Sequence, residues 1–169
     1  MKKICAILLI SLLCCGLLAG CGEEPAPTAP DNANVYSDLT EPAVDLKITD
    51  CINEQQLTTI LGYTMLPPSI GDYDTQATYY SEEGCVVSIS LKNQTLELFN
   101  SDIAALGDTV TLYEGVGEAA YKSSVTGELL VYQNGYSLGV AVTIPGVVNA
   151  ETQARQIAEL VVSALQPTA

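Results

Sequence analysis

The chain predicts an α+β fold: an antiparallel β-sheet with helices before, within and after the strands. Three observations carry this. Apolar residues recur at helical spacing in three separated segments. Runs of strand length with alternating character lie between them. Those runs come in pairs joined by tight turns, above all at Asn134-Gly135. Hairpin-joined strands pair antiparallel, and helices set apart from them cover the sheet rather than alternate with it.

Taken in order, Asn53 is placed to cap a short helix over 54–61, with Glu54 in its first turn and Gly62 just past its end. Ile52, Leu57, Ile60 and Leu61 form its apolar stripe, and Cys51 falls at its start. Residues 76–82 and 85–92 read as strands joined by a tight turn near Glu83-Gly84. A second helix spans 96–106 and ends at Gly107. Strands follow at 109–113, 119–124, 128–133 and 136–144. Asn149 is expected to cap a final helix to about Leu165, with Ala154, Ile157, Ala158, Leu160, Val161 and Ala164 on its apolar side.

Alternation assigns the sheet faces. Tyr136, Leu138, Val140, Val142 and Ile144 share one face; Ser137, Gly139, Ala141 and Thr143 share the other. Turning the chain at Asn134-Gly135 sets Val131 opposite Leu138 and Leu129 opposite Val140. Leu130 and Tyr132 then lie over Gly139 and Ser137. One face is aliphatic core. The other, small residues beneath a Leu and a Tyr, suits solvent, a groove or a helix seat. Cys85, Val87, Ile89 and Leu91 likewise share a face, with Ser88, Ser90 and Lys92 behind them.

The N-terminal segment is organised differently. Lys2 and Lys3 precede an uncharged apolar run from Ile4, which ends in Leu18-Ala19-Gly20-Cys21. This pattern resembles a bacterial lipoprotein signal peptide with its lipobox: cationic start, apolar middle, small residues before the cut. Leu18 matches the apolar position, Ala19 and Gly20 the small ones, and Cys21 the thiol that family alkylates with diacylglycerol before cleavage. The resemblance implies palmitate-type lipidation at Cys21 and a cell-membrane location facing the extracytoplasmic side. The organisation expected is a signal peptide at 1–20, a lipidated Cys with a flexible Pro- and acid-rich tether at 21–45, and one α+β domain at 46–169. Such a tether, ~24 residues long, reaches at most ~80 Å.

Without residues 1–20 the chain holds 20 acidic and 4 basic residues, a net charge of −16. So acidic a surface excludes phosphate-neutralising contact with nucleic acid, and it is repelled by anionic lipid. The lipid must therefore supply membrane attachment. Of the six cysteines, Cys5, Cys14 and Cys15 leave with the signal peptide and Cys21 takes the lipid. Cys51 and Cys85 remain, 34 residues apart. An even pair in an exported domain suggests a disulfide contributing ~4 kcal/mol; two buried thiols or metal or redox use are the alternatives.

The folded part resembles small lipoproteins of the LpqN-like type, which adopt a PsbP-like α+β fold. The residues carrying this are Cys51 opening a helix that ends at Leu61-Gly62, Cys85 beginning a strand, Gly115-Val116-Gly117-Glu118-Ala119-Ala120-Tyr121 leading into the Asn-Gly hairpin, and Ala158-Glu159-Leu160-Val161 in the last helix. The resemblance implies an extracytoplasmic binding or accessory role and brings no catalytic residues.

The chemistry available is narrow. There is no histidine, which removes Ser-His-Asp and Cys-His catalysis and the usual zinc ligands. No cofactor or metal site is expected. Gly115-Val116-Gly117 precedes a strand and reads as a turn, not a phosphate loop. Asp72 and Asp74 lack the further ligands of a calcium loop. Tyrosine dominates the aromatics, with nine Tyr against one Phe and no Trp. Tyr79, Tyr80, Tyr121, Tyr132 and Tyr136 all fall on strands, so Tyr79, Tyr121, Tyr132 and Tyr136 are the candidate residues of a ligand-binding sheet face. The expectation is a non-enzymatic, lipid-anchored domain that binds an envelope protein or glycan. An envelope-polysaccharide enzyme using carboxylates and a purely structural envelope protein are the rivals.

Overall fold

The computed structural model describes residues 46–71 and 75–166, all within one compact unit. The expected signal peptide, Cys21, the tether, Asp72 and Asp74 lie outside the described residues. Among the described residues no helix is long and apolar enough to cross a membrane.

Two short helices open the domain. α1 (Ile48–Cys51) is a single turn, and α2 (Glu54–Leu61) follows after two residues. The Asn53 side chain accepts from the Gln56 N–H at 3.0 Å, while the Gln56 side chain accepts from the Asn53 N–H at 2.9 Å. This reciprocal capping box explains why α2 begins where it does. Gly62, with φ 76°, ends it in the left-handed conformation that glycine adopts without a Cβ clash. Cys51 therefore closes α1 rather than opening α2, and Ile52 lies in the extended link between them, buried all the same. The break arises because the Asn53 cap needs extended backbone, which interrupts any longer helix.

The strands are β1 (Ser69–Ile70), β2 (Gln76–Tyr80), β3 (Val86–Asn93), β4 (Val110–Leu112), β5 (Ala119–Ser123), β6 (Leu129–Gln133) and β7 (Tyr136–Thr143). They form one antiparallel sheet in the order β1-β2-β3-β7-β6-β5-β4. The two-residue β1 carries no alternation long enough to announce itself in sequence. The 134–135 turn has positive φ at both residues, 48° and 82°, the backbone a two-residue hairpin of matching twist requires. Its register is the expected one, Val131 opposite Leu138 and Leu129 opposite Val140.

Between β3 and β4 runs α3 (Leu96–Leu106), capped by the Thr95 hydroxyl. β3 is central and β4 is the far edge, so this connection must cross the sheet. α4 (Glu151–Ala164) follows β7. Its N-cap is Ala150, not Asn149; the Asn149 side chain reaches forward instead to accept from the Glu151 N–H at 3.1 Å. An Asn side chain satisfies a donor two residues on as readily from just outside the cap position.

The two sheet faces differ. One carries Ala77, Tyr79, Val87, Ile89, Leu138 and Val140, all buried, under α1, α2 and α4. Ile157, Ala158 and Val161 of α4 and Leu57 of α2 complete this core. Each large side chain so buried contributes about 1.5–3 kcal/mol by removal from water. The second face is shared between α3 and rows of small polar residues.

Candidate functional site

On the second face, α3 covers one end. Phe99 and Ile103 are buried against Tyr132, with Val110, Ala119, Tyr121 and Leu130 packed around them. The Phe99 ring lies 5.6 Å from that of Tyr132 and 6.1 Å from that of Tyr121, both tilted. These contacts all belong to β4, β5 and β6. The Gln94 side chain ties the end of β3 to α3 through a 2.6 Å bond to Asp102.

The other end presents hydroxyls. Register places Thr78, Ser88 and Ala141 side by side across β2, β3 and β7, with Gln76, Ser90 and Gly139 in the next row. Thr78, Ser88 and Ser90 are each partly exposed, and the Thr78 and Ser88 hydroxyls bond at 3.2 Å. Glu128, just before β6, reaches onto this surface. A Cβ built on Gly139 would stand 2.5 Å from Glu128 Oε1 and 2.6 Å from Ser90 Oγ. Both oxygens thus occupy space that any other residue at 139 would fill. Burial pushes the Glu128 carboxyl group above its usual range. Among the described residues no hydrogen bond or ion pair engages that carboxyl group or the Ser90 hydroxyl. A half-buried carboxyl without a partner is poised to accept from an incoming donor. Tyr80 projects from the same face of β2 and is 45% exposed.

The four candidate tyrosines do not line one face. Tyr79 is fully buried in the main core, and its hydroxyl donates to the Ile52 carbonyl at 3.0 Å. Burial pushes its pKa up to about 12, with the Glu54 charge adding to the effect. Tyr136 packs against that same core. Tyr121 and Tyr132 lie on the opposite face, under α3. The reason is parity: in the β2–β3 pairing Tyr79 stands opposite Val87, so Tyr80, and not Tyr79, faces outward. Glu128, Ser90 and Gly139 were not singled out from sequence as site residues. The small and hydroxyl residues on this face were a visible signal; Glu128's reach over Gly139 was not.

Cys51 and Cys85 both lie buried in the main core, as free thiols in this structure. The Cys51 thiol donates to the Lys47 carbonyl at 3.6 Å. Burial, reinforced by Asp50, pushes its pKa up to about 11; burial and then Glu83 raise that of Cys85. Thiolate is scarce at both, so neither is primed as a nucleophile. Among the described residues no group of three or more His, Cys, Asp or Glu is placed to hold a metal ion. Gly115 and Gly117 form a bend with φ 85° and 62°, and Val116 between them is buried in the core.

A shallow cleft of about 450 Å³ lies between the 123–127 turn and the loop before α4. The Lys122 ammonium donates to Glu151 Oε2 beside it, as does the Asn149 amide at 3.3 Å. The bond from Lys122, then that from Asn149, holds the Glu151 carboxyl below its usual range. These charges satisfy one another, in contrast to Glu128.

No protein-family model, curated protein or solved structure matches the chain.

Proposed function

We propose that the protein is a lipid-anchored extracytoplasmic binding or accessory domain of the bacterial cell envelope, which engages its partner through the hydroxyl-rich half of its second sheet face. The observation that carries this is the unpartnered Glu128 carboxyl group lying with Ser90 over Gly139, beside Thr78 and Ser88. Leu18-Ala19-Gly20-Cys21 supports the anchor, and the acidity of the chain makes a lipid the fitting means of attachment. The antiparallel α+β architecture is compatible with a PsbP-like domain of an LpqN-like lipoprotein, and that finer assignment belongs to the same reading.

Two experiments test it. In cells, the chain should partition with membranes, and Cys21→Ala should release it; a variant that stays membrane-bound removes the anchor. The full chain should be retained by a particulate envelope preparation, and joint Ser90→Ala and Glu128→Gln substitution should abolish retention. Retention that ignores both substitutions overturns the assigned face.

Pairing of Cys51 with Cys85 on export also belongs to this reading, since both thiols sit in one core cluster. Non-reducing mass spectrometry of exported protein should find it two hydrogens lighter than the dithiol. Two free thiols would dismiss the bond.

A further inference from the structure

We infer that the hydroxyl-rich half of the second face binds an uncharged oligosaccharide laid across β2, β3, β7 and β6, from the ring of Tyr80 to the carboxyl group of Glu128. This rests on the binding reading above and names its ligand class.

The residues are arranged as such a ligand needs. Tyr80 and Glu128 stand at opposite sides of the surface, on β2 and just before β6, and β3 and β7 lie between. Three strand spacings, roughly 14 Å, and a two-residue step along the strands separate them, within the reach of a short sugar chain. Between them Ala141 carries only a methyl group, Glu128 and Ser90 close over Gly139, and the bulkier Leu130 and Tyr132 beyond them pack with α3. The hydroxyls and the carboxyl group are therefore what this surface presents.

Its chemistry changes from one end to the other. Tyr80 offers an exposed aromatic ring, suited to the C–H face of a sugar with its hydroxyl left in water. Thr78, Ser88 and Ser90 offer hydroxyls that both donate and accept, as sugar hydroxyls do. Glu128 offers a partly desolvated acceptor able to take two vicinal hydroxyls. Donors alone would point to an anion. Here the acceptors dominate, and the one cation further along this face among the described residues, Lys92, lies 4.0 Å from Asp102 of α3. With 20 acidic against 6 basic residues, the chain repels anionic ligands over a longer range. An uncharged, hydroxyl-rich ligand suits all these features together.

The test is isothermal titration of the full chain, in detergent, with three neutral trisaccharides: chitotriose, cellotriose and maltotriose. At least one should bind saturably. Tyr80→Ala and Glu128→Gln should each weaken it about tenfold or more, the loss expected for a desolvated contact to a charged or aromatic group. Tyr80→Phe should keep most of the affinity, because the ring does the stacking. Circular dichroism melts separate these losses from unfolding. Binding of no trisaccharide, or binding indifferent to both substitutions, overturns the glycan assignment. If the envelope preparation still retains the wild type and not the Ser90/Glu128 double variant, the face keeps its binding role with another ligand class. If retention is also indifferent, both readings fall together.

Discussion

The two faces of the one sheet are built from neighbouring residues and obey opposite rules. On β3, Ile89 is fully buried beneath helices, and Ser90, the next residue, is partly exposed on the other side. On β7, Val140 is core and Gly139 is the floor of the candidate site. The first face is filled by large side chains; the second is half filled by α3 and half left to small polar residues. The difference teaches that a strand supplies stability and function from alternate positions, so the two can be altered separately.

The largest separation is expected between Ile89 and Ser90. Ile89→Ala should cost about 2–5 kcal/mol, as removal of a buried branched side chain does. Ser90→Ala should stay within about 0.5 kcal/mol, as a surface change does. Urea denaturation of both variants measures the difference; equal losses would break the comparison.

Two glycines sharpen it. A Cβ on Gly117 would stand 2.5 Å from Val131 Cγ1 and 2.7 Å from the Tyr132 carbonyl oxygen, at φ 62°. Backbone and core cannot yield there, so Gly117→Ala should cost about 1–3 kcal/mol in strain. At Gly139 the obstacles are the free ends of Glu128 and Ser90, at ordinary φ. Gly139→Ala should be much milder in thermal melts, yet it should expel the Glu128 carboxyl group and weaken binding.

Tyr79 and Tyr80 make a third pair. Tyr79→Phe leaves the buried Ile52 carbonyl without its hydroxyl donor, a loss of about 1–3 kcal/mol. Tyr80→Phe should leave stability nearly unchanged in the same melts.

The smallest effect has the opposite sign. Burial raises the Glu128 pKa in the folded state, so the native protein holds this proton more tightly than the unfolded chain. The stabilisation due to that proton is present in acid and lost as pH rises through the folded-state value. Glu128→Gln should therefore be slightly more stable than wild type at neutral pH, and the gain should fade near about pH 4, where a free Glu is itself largely protonated. Thermal melts across this range measure it; a variant less stable at neutral pH would mean that Glu128 has a stabilising partner.

Much of this was legible because it is written in short-range chemistry. Asn53 and Gln56 cap α2 across one turn, and Leu96–Leu106 is bounded by Thr95 and Gly107. Asn134-Gly135 sets a register that alternation then carries along both strands. The candidate site was harder to read. The alternation on β3 and β7 was visible, yet carrying it to β2 needed the turn at 81–85, and without it Tyr79 passed for a surface residue. Glu128 was visible only as the start of a strand, because its role depends on what is missing at Gly139.

The sequence by itself determined α2, α3 and α4, the main strands, the antiparallel pairing and the aliphatic core face, and missed the single turn of α1. Capping, turn geometry and period-two alternation act between near neighbours. Only the tertiary structure decided where α3 crosses, and therefore which half of the second face it seals and which it leaves to Thr78, Ser88, Ser90 and Glu128. That choice depends on placing β4 at the far edge from β1, and no local pattern specifies contacts between segments so far apart in the chain.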